Sequence, residues 1–308
     1  KLSDYILQTR CLRTHLYTLF HLTPLTSWSW KKMRSKKTRV ALGFDDITRS
    51  HLKSLPAPWL DHLTNILNSC FRLGYFLDYW KVVKLETIPK PDVDPRSINA
   101  HSPRTLYSVM GKLLEKAIFA RLQRRLHATI PPWQYGFRQK CSTIHQILGV
   151  KAELKSKRAC ATWCVAVCLD LKKAFDKVRH PSLLFKLAPA GRTVYIIAAS
   201  YLKDRCVRAQ FDGYTSAPRL VTSWVPQGGI VSPFLFSLFL ADLPVTPGVK
   251  IWGYADDIAL PATGRHAPDA LQQTLDAISN WGTVNIMGLN PAKCTTPLEL
   301  RSGGMLMT

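Results

Sequence analysis

The stretch KIWGYADDIAL, from Lys250 to Leu260, places two adjacent aspartates inside an apolar run that is typical of a buried strand. Burying one unpaired carboxylate costs free energy, and burying two costs more. Because neighbouring side chains of a regular strand point to opposite faces, Asp256 and Asp257 can share one site only at a tight turn between two strands. The stretch therefore predicts a hairpin in which one acid faces the site and the other lies at its rim.

A third carboxylate, Asp170, ends the β-branched apolar run CVAVCLD and is expected at the tip of a strand. Three converging carboxylates would repel one another unless a hard cation lay among them, and Mg²⁺ prefers oxygen ligands. Two such ions, about 3.5–4 Å apart, stabilise the attacking and leaving oxygens of a phosphoryl transfer. Adjacent aspartates are common, and Asp45 and Asp46 have no such context, so spacing alone leaves the metal site as one of several interpretations.

The composition predicts a folded protein with a polyanionic partner. The chain has 308 residues, 46% of them hydrophobic, and a formal net charge of +22. This length is sufficient for two subdomains, and the positive charge favours nucleic acid or an anionic membrane surface as the partner. The longest apolar stretch, residues 230–245, is interrupted by proline and aspartate and is too short for a membrane span of about 20 residues. We therefore predict a core helix there.

Local patterns predict an α+β arrangement rather than a regular alternation of strand and helix. The spacing of apolar residues predicts an amphipathic helix within 55–79 that ends near Gly74, and a second, basic helix over 108–126. Between them, the alternating stretch from Trp80 predicts a strand that breaks at a cluster of proline and aspartate.

The cysteines and one basic run each leave two interpretations open. Cys160, Cys164 and Cys168 are spaced by four, which allows a metal site, but their strand-like context favours buried and reduced thiols in an intracellular protein. The basic run 31–39 is either a solvated flexible segment or an arm that contacts phosphates or serves as a localisation signal.

Several motifs, in a fixed order, connect the acidic stretches to a known family. LDLKKAFDKV around Asp170, VPQGGIVSP from Val225 and YADD from Tyr254 follow one another as motifs A, B and C of polymerase palm domains do. ALGFDDI, LGYFLDYWKVVKLETIPKPDVDP, SVMGKLLEKAIFARL, QYGFRQKCST and LNPAKC match in the expected order as well. From about Ala41 to its end, the chain resembles the reverse transcriptases of non-LTR (LINE-type) retrotransposons, and in particular the jockey-like group.

The resemblance implies the α+β fold of a right-hand polymerase, with fingers and an antiparallel palm sheet backed by helices. It divides the chain into a basic helical N-terminal segment (1–40), fingers (41–160) and palm (161–308). The thumb is expected to be largely missing, and no endonuclease resemblance precedes the fingers.

The resemblance also assigns roles to individual residues of the palm. Asp170, Asp256 and, more peripherally, Asp257 would hold two Mg²⁺ ions, with Mn²⁺ as an alternative. Tyr254 and Ala255 would lie beside the primer terminus.

Further roles concern the nucleotide and the template. Phe175 would lie under the incoming sugar, where its ring excludes a 2′-hydroxyl; otherwise it is a core aromatic. Gln227 and Gly228 would lie against the nascent base pair and the template, although PQGG alone reads as a turn before a helix. Lys90 would bind the triphosphate and Arg138 the template or nucleotide, although single basic residues are usually only solubilising.

Lys293 corresponds to a late palm lysine that could donate a proton to the leaving pyrophosphate; otherwise it is a lysine at a helix end. The implied reaction is the RNA-templated addition of deoxynucleotides to a DNA 3′-hydroxyl. Its partners would be an RNA template, a DNA primer and dNTPs, without a membrane, in an intracellular and nuclear setting. The oligomeric state is left open.

Some positions depart from the family pattern. Ser102 stands where the family usually has an arginine that grips phosphate beside Lys90, and Arg104 could compensate if it faces the same way. Smaller departures occur at Leu42, Trp224 and Gly229. These departures keep open the alternative of a catalytically decayed, nucleic-acid-binding remnant of such an element. A separate enzymatic alternative is an intron-type maturase reverse transcriptase.

Overall fold

A computed structural model describes residues 42–89, 94, 101–156, 163–211 and 213–301. The N-terminal segment 1–40, Lys90 and Cys160, on which some of the sequence predictions depend, lie outside these described residues.

The described part of the chain contains eight α-helices. They are α1 (Arg49–Ser54), α2 (Ala57–Leu73), α3 (Val109–Leu126), α4 (Thr143–Ser156), α5 (His180–Leu187), α6 (Arg192–Leu202), α7 (Ser232–Phe239) and α8 (Ala267–Asn285). The strands are β1 (Val82–Pro89), β2 (His101–Leu106), β3 (Trp163–Asp170), β4 (Arg205–Phe211), β5 (Tyr214–Thr215), β6 (Arg219–Val221), β7 (Trp252–Tyr254), β8 (Asp257–Thr263) and β9 (Thr295–Arg301).

Both predicted amphipathic helices and the strand between them are confirmed. Helix α2 ends where Gly74 adopts a left-handed conformation, with φ of 64°, which glycine adopts without steric cost. Helix α3 begins after Ser108, whose hydroxyl accepts hydrogen bonds from the backbone N–H groups of Met110 and Gly111. Such a cap satisfies donors that have no partner within the helix.

Two sheets organise the described chain. One is mixed: β1 lies between β2, to which it is antiparallel, and β4, to which it is parallel, and β5 and β6 pair with β4. This sheet therefore combines β1 and β2, which precede residue 160, with β4, β5 and β6, which follow it. The other sheet has the order β7-β8-β3-β9 and is antiparallel throughout. Helix α8 packs on β3 and β8, and α4 packs on β7 and β8, so the predicted α+β class with a helix-backed antiparallel sheet is confirmed.

The apolar stretch that starts at Ile230 forms a core helix, as predicted. In α7, Leu235, Phe236, Leu238 and Phe239 are fully buried. None of the helices in the described ranges has the length and apolar character needed to cross a bilayer.

Candidate active site

The predicted hairpin is confirmed, and its turn carries the acids. Tyr254 at the end of β7 pairs with Asp257 at the start of β8, so the connecting loop consists of Ala255 and Asp256 alone. Ala255 adopts φ of 59°, a backbone conformation that two-residue hairpin loops require. Asp256 is half-buried, whereas Asp257 is exposed. This difference agrees with one acid facing the site and the other lying at its rim.

Strand β3 brings the third acid to the same end of the sheet. The Cα atom of Asp170 lies directly opposite that of Asp257 in the antiparallel pairing of β3 with β8. Side chains of directly opposed residues lie on the same face of a sheet, close enough to interact. Asp170, Asp256 and Asp257 therefore form one acidic cluster at the turn.

The charges within this cluster act on one another. Partial burial raises the pKa of Asp256, and the negative charges of Asp257 and Asp170 raise it further. A hydrogen bond from the backbone of Asp256 to its carboxylate and, more weakly, the Lys293 ammonium lower this pKa, but the net shift is upward. The cluster would therefore gain free energy by binding a cation.

The segment 288–293 contacts Asp170 and fixes its position. The Asn290 amide donates to Oδ2 of Asp170 at 2.9 Å, and the Asn290 backbone N–H donates to the Asp170 carbonyl at 2.9 Å. Lys293 Nζ lies 3.5 Å from Oδ1 of Asp170, while its side chain is 67% exposed. Sequence analysis singled out Lys293 but missed Asn290, because nothing in LNPAKC shows which residue faces Asp170.

The donor set fits Mg²⁺. Carboxylate oxygens are the ligands this ion prefers, and one or two carboxylates usually suffice because water and substrate phosphates complete its shell. Asp170 and Asp256 can supply them, with Asp257 nearby at the rim. No group of three or more His, Cys, Asp or Glu side chains within the described ranges is by itself arranged to hold a metal ion.

Phe175 lies in the loop after β3 and connects this loop to the PQGG segment through a hydrogen bond. Its ring stacks on the buried ring of Phe236, with centroids 4.5 Å apart and planes at 22°, and meets Phe137 edge-on at 6.1 Å. Its carbonyl accepts a hydrogen bond from the Val225 N–H at 2.9 Å. Phe175 is thus half-buried against the core and lies in the loop that follows Asp170.

The middle of the PQGG segment is open to solvent, and its backbone is held by a hydrogen bond from Thr105. Gln227 and Gly228 are exposed, and the Thr105 hydroxyl donates to the Gln227 carbonyl. Gly228 has φ of 90°, and a Cβ atom there would lie 3.3 Å from the Thr105 carbonyl oxygen. Both the conformation and the close approach favour glycine.

A buried carboxylate, which sequence analysis also missed, supports the residue that follows the PQGG segment. Glu115 of α3 is 1% exposed, and its carboxylate accepts a hydrogen bond from the backbone N–H group of Ile230. Burial raises its pKa, and the positive charge of Arg205 opposes that rise. A signal was present: position 115 is four residues after the buried Gly111 and three before the buried Ile118, so the acid lies on the buried face of the helix.

The structure also shows the positions of Arg138, Tyr254 and two of the cysteines. Arg138 Nη1 lies 3.4–3.5 Å from the carbonyls of Pro131, Pro132 and Gln134, so its guanidinium folds back onto its own loop. Tyr254 is half-buried beside the turn. Cys164 is buried and Cys168 half-buried, both as free thiols, as the core interpretation predicted.

Comparison with known proteins relates this geometry to a family. A family model described as reverse transcriptase (RNA-dependent DNA polymerase) matches residues 88–302. The RNA-directed DNA polymerase from mobile element jockey of Drosophila funebris is 31% identical over 313 residues, and the probable RNA-directed DNA polymerase from transposon BS of Drosophila melanogaster is 32% identical over 284 residues. These matches cover 95% and 86% of this chain but 34% and 31% of the relatives, so the chain spans about a third of their length.

A solved structure shares the fold. Apo telomerase from Candida tropicalis, truncated from its C-terminal domain, superposes with a TM-score of 0.54 at 12% identity. The superposition covers 84% of this chain and 57% of that one.

Proposed function

Because the chain belongs to the reverse transcriptase (RNA-dependent DNA polymerase) family, we propose that it adds deoxynucleotides to the 3′-hydroxyl of a DNA primer on an RNA template and releases pyrophosphate. The curated relatives, three times longer, are named as RNA-directed DNA polymerases of mobile elements. The net charge of +22 supports a polyanionic substrate. We place the reaction in the nucleus, where such an element would copy its RNA.

One observation carries the proposal: the hairpin turn and the end of β3 bring Asp256, Asp257 and Asp170 into one acidic cluster. A structural role does not explain this arrangement, because the burial of Asp256 and its acidic neighbours disfavour its ionised form. An ion-binding role explains it, because a bound cation would reverse that penalty.

The chain's own residues divide the work of a two-metal nucleotidyl transfer. Asp170 and Asp256 present carboxylate oxygens for Mg²⁺, and Asp257 contributes charge at the rim. The chemistry that bound Mg²⁺ supplies is polarisation of the reacting phosphoryl group and activation of the attacking hydroxyl. Lys293, whose ammonium is held 3.5 Å from Asp170 and remains largely exposed, holds the proton for the leaving pyrophosphate.

Substrate selection falls to the loops beside the cluster. We assign the incoming sugar to Phe175 and the nascent base pair to Gln227 and Gly228. The side chain of Gln227 is free to face a ligand because the backbone around it is held by Thr105 and Glu115. Lys90 and Arg138 are proposed to contact the triphosphate and the template.

Primer extension tests this proposal. The chain should extend a DNA primer on an RNA template with dNTPs and Mg²⁺, and Asp170→Asn should abolish extension. Asp269→Asn is the matched control, because this exposed acid only pairs with His266 on the surface of α8. Equal activity of the Asp170→Asn variant would refute the assignment.

A non-catalytic role in nucleic-acid binding is favoured by one feature, the serine at position 102 where the family usually has a phosphate-gripping arginine. It predicts that the chain binds primer–template without extending it. Extension by the wild-type chain would reject this second candidate.

A further inference from the structure

Gln134, in the loop between α3 and α4, makes an unusual set of hydrogen bonds to the acidic turn. Its side chain is fully buried, with no exposed surface. The amide nitrogen donates to the Ala255 carbonyl at 2.9 Å, and the amide oxygen accepts from the Ala255 N–H at 2.9 Å and from the Gly136 N–H at 2.9 Å. Because only the oxygen can accept from two N–H groups, the orientation of the amide is fixed by its partners.

Ala255, to which Gln134 is hydrogen-bonded, has an unusual backbone conformation. Ala255 has φ of 59°, which residues with a Cβ atom adopt only where their surroundings impose it. It is also the residue immediately before Asp256. Its backbone conformation therefore decides the direction in which the Asp256 carboxylate leaves the turn.

The loop around Gln134 is built to approach the turn closely. The Tyr135 N–H donates to the Gly253 carbonyl at 2.7 Å, and the Gly253 N–H donates to the Trp133 carbonyl at 2.9 Å. These bonds place the loop along the edge of β7. A Cβ atom on Gly136 would lie 2.3 Å from the Ala255 nitrogen, so glycine is needed for this approach.

We propose that Gln134 is a positioning residue of the candidate active site: its amide holds Ala255 in the left-handed conformation and thereby aims the Asp256 carboxylate at the cation site. The inference rests on the proposed function for its catalytic consequence. Its geometric part, the placement of Asp256, can be measured without catalysis.

The hairpin offers a matched control. The amide nitrogen of Gln146 in α4 donates to two hairpin carbonyls, those of Trp252 at 3.1 Å and Asp257 at 3.2 Å. These bonds bridge the two strands, and neither goes to Ala255 or Asp256. Gln146→Met therefore removes amide hydrogen bonds from the same hairpin while leaving the hydrogen bonds between Gln134 and Ala255 in place.

The experiment compares Gln134→Met, Gln146→Met, Ala255→Gly and the double variant Gln134→Met/Ala255→Gly in the 308-residue chain. Three quantities are measured: Mn²⁺ affinity by water-proton relaxation, kcat and the dNTP KM in primer extension, and the unfolding temperature. Methionine has nearly the length of glutamine and no hydrogen-bonding amide, so the core stays filled.

For Gln134→Met we expect kcat to fall about 10- to 100-fold, because misplacement of a reacting group by about 1 Å has effects of that size. Mn²⁺ affinity should fall about tenfold, whereas the dNTP KM should change by less than about threefold, since the loss falls on the transition state. Ala255→Gly should restore a several-fold part of both losses, because glycine adopts the left-handed conformation unaided. Gln146→Met should change Mn²⁺ affinity by less than about twofold.

Two results from the variants would overturn the inference. One is a Gln134→Met variant whose Mn²⁺ affinity stays within about twofold of wild type. The other is a fall in kcat and Mn²⁺ affinity that Ala255→Gly does not restore and that parallels the fall in unfolding temperature. Gln134 would then stabilise the fold as a whole without specifically positioning Asp256. A wild-type chain that binds Mn²⁺ but does not extend primers would refute the proposed function alone, and the Mn²⁺ comparison would still decide the role of Gln134. A wild-type chain that binds no Mn²⁺ would overturn both.

Discussion

Removal of the Glu115 carboxylate should destabilise the loop that follows the PQGG segment. Glu115 is buried in α3, and its carboxylate accepts a hydrogen bond from the N–H group of Ile230, 115 residues further along the chain. In Glu115→Ala this N–H group loses its acceptor inside the protein. A buried donor without a partner costs about 1–3 kcal/mol, so we expect a loss of about 2 kcal/mol.

This free energy converts into a measurable change in unfolding temperature. At about 2–4 °C for each kcal/mol in a protein of roughly this size, Glu115→Ala should lower Tm by about 4–8 °C. Glu115→Gln keeps an acceptor oxygen and the shape of the side chain, so its Tm should fall much less. Circular dichroism melts measure both, with Asp269→Asn as the exposed control. The dNTP KM of Glu115→Ala should also rise, because Gln227 and Gly228 precede the loosened residues.

The pH dependence provides a second readout. The pKa of Glu115 is raised above its ordinary value of 4.5, chiefly by burial. Its contribution to stability is therefore complete below that ordinary value and is lost as the pH rises through the raised pKa. Glu115→Gln should remove this decline. The reasoning would be refuted if Glu115→Gln were as unstable as Glu115→Ala, because the charge opposite Arg205, and not the hydrogen bond, would then matter.

Three other substitutions test individual roles in the site. Phe175→Ala should raise ribonucleotide incorporation at least several-fold in primer extension, because it removes the ring that we propose to exclude the 2′-hydroxyl; unchanged sugar discrimination would reject this role. Lys293→Met should lower kcat about 10²- to 10⁴-fold if the ammonium acts as the general acid, and it should also raise the repulsion at Asp170; an unchanged kcat and pH profile would leave Lys293 a surface lysine. Gly228→Ala should raise the dNTP KM, because alanine is strained at φ of 90° and its Cβ would lie 3.3 Å from the Thr105 carbonyl oxygen; an unchanged KM would show that the loop adapts.

The sequence predicts the local features of the site well, for a physical reason. Two adjacent acids in an apolar strand-like run can share one site only at a turn, and the β-branched run before Asp170 predicts a strand that ends there. Both features follow from the two-residue period of a strand, so the hairpin and β3 were predictable on this basis. The two amphipathic helices were predictable from the helical spacing of their apolar residues.

Contacts between distant segments were not predictable in the same way. The pairing of Asp170 with Asp257 depends on the register of β3 against β8, and the grip of Asn290 on Asp170 spans 120 residues. Glu115 was detectable as an acid on the buried face of a helix, but its partner at Ile230 was not. Gln134 carries no charge or period that would mark it, and its role follows from its hydrogen bonds to Ala255 and from the positive φ of that residue.

The central claim, that the acids at the hairpin turn form a cation site, is tested most directly by Mn²⁺ binding to wild type and to Asp256→Asn. Burial and neighbouring acids raise the pKa of Asp256 above 3.8, so its ionised form costs stability at neutral pH. Without metal, Asp256→Asn should therefore unfold at a higher temperature than wild type. With Mn²⁺, wild type should bind the ion and be stabilised, and Asp256→Asn should show neither effect. Mn²⁺ binding by Asp256→Asn with wild-type affinity would contradict the claim.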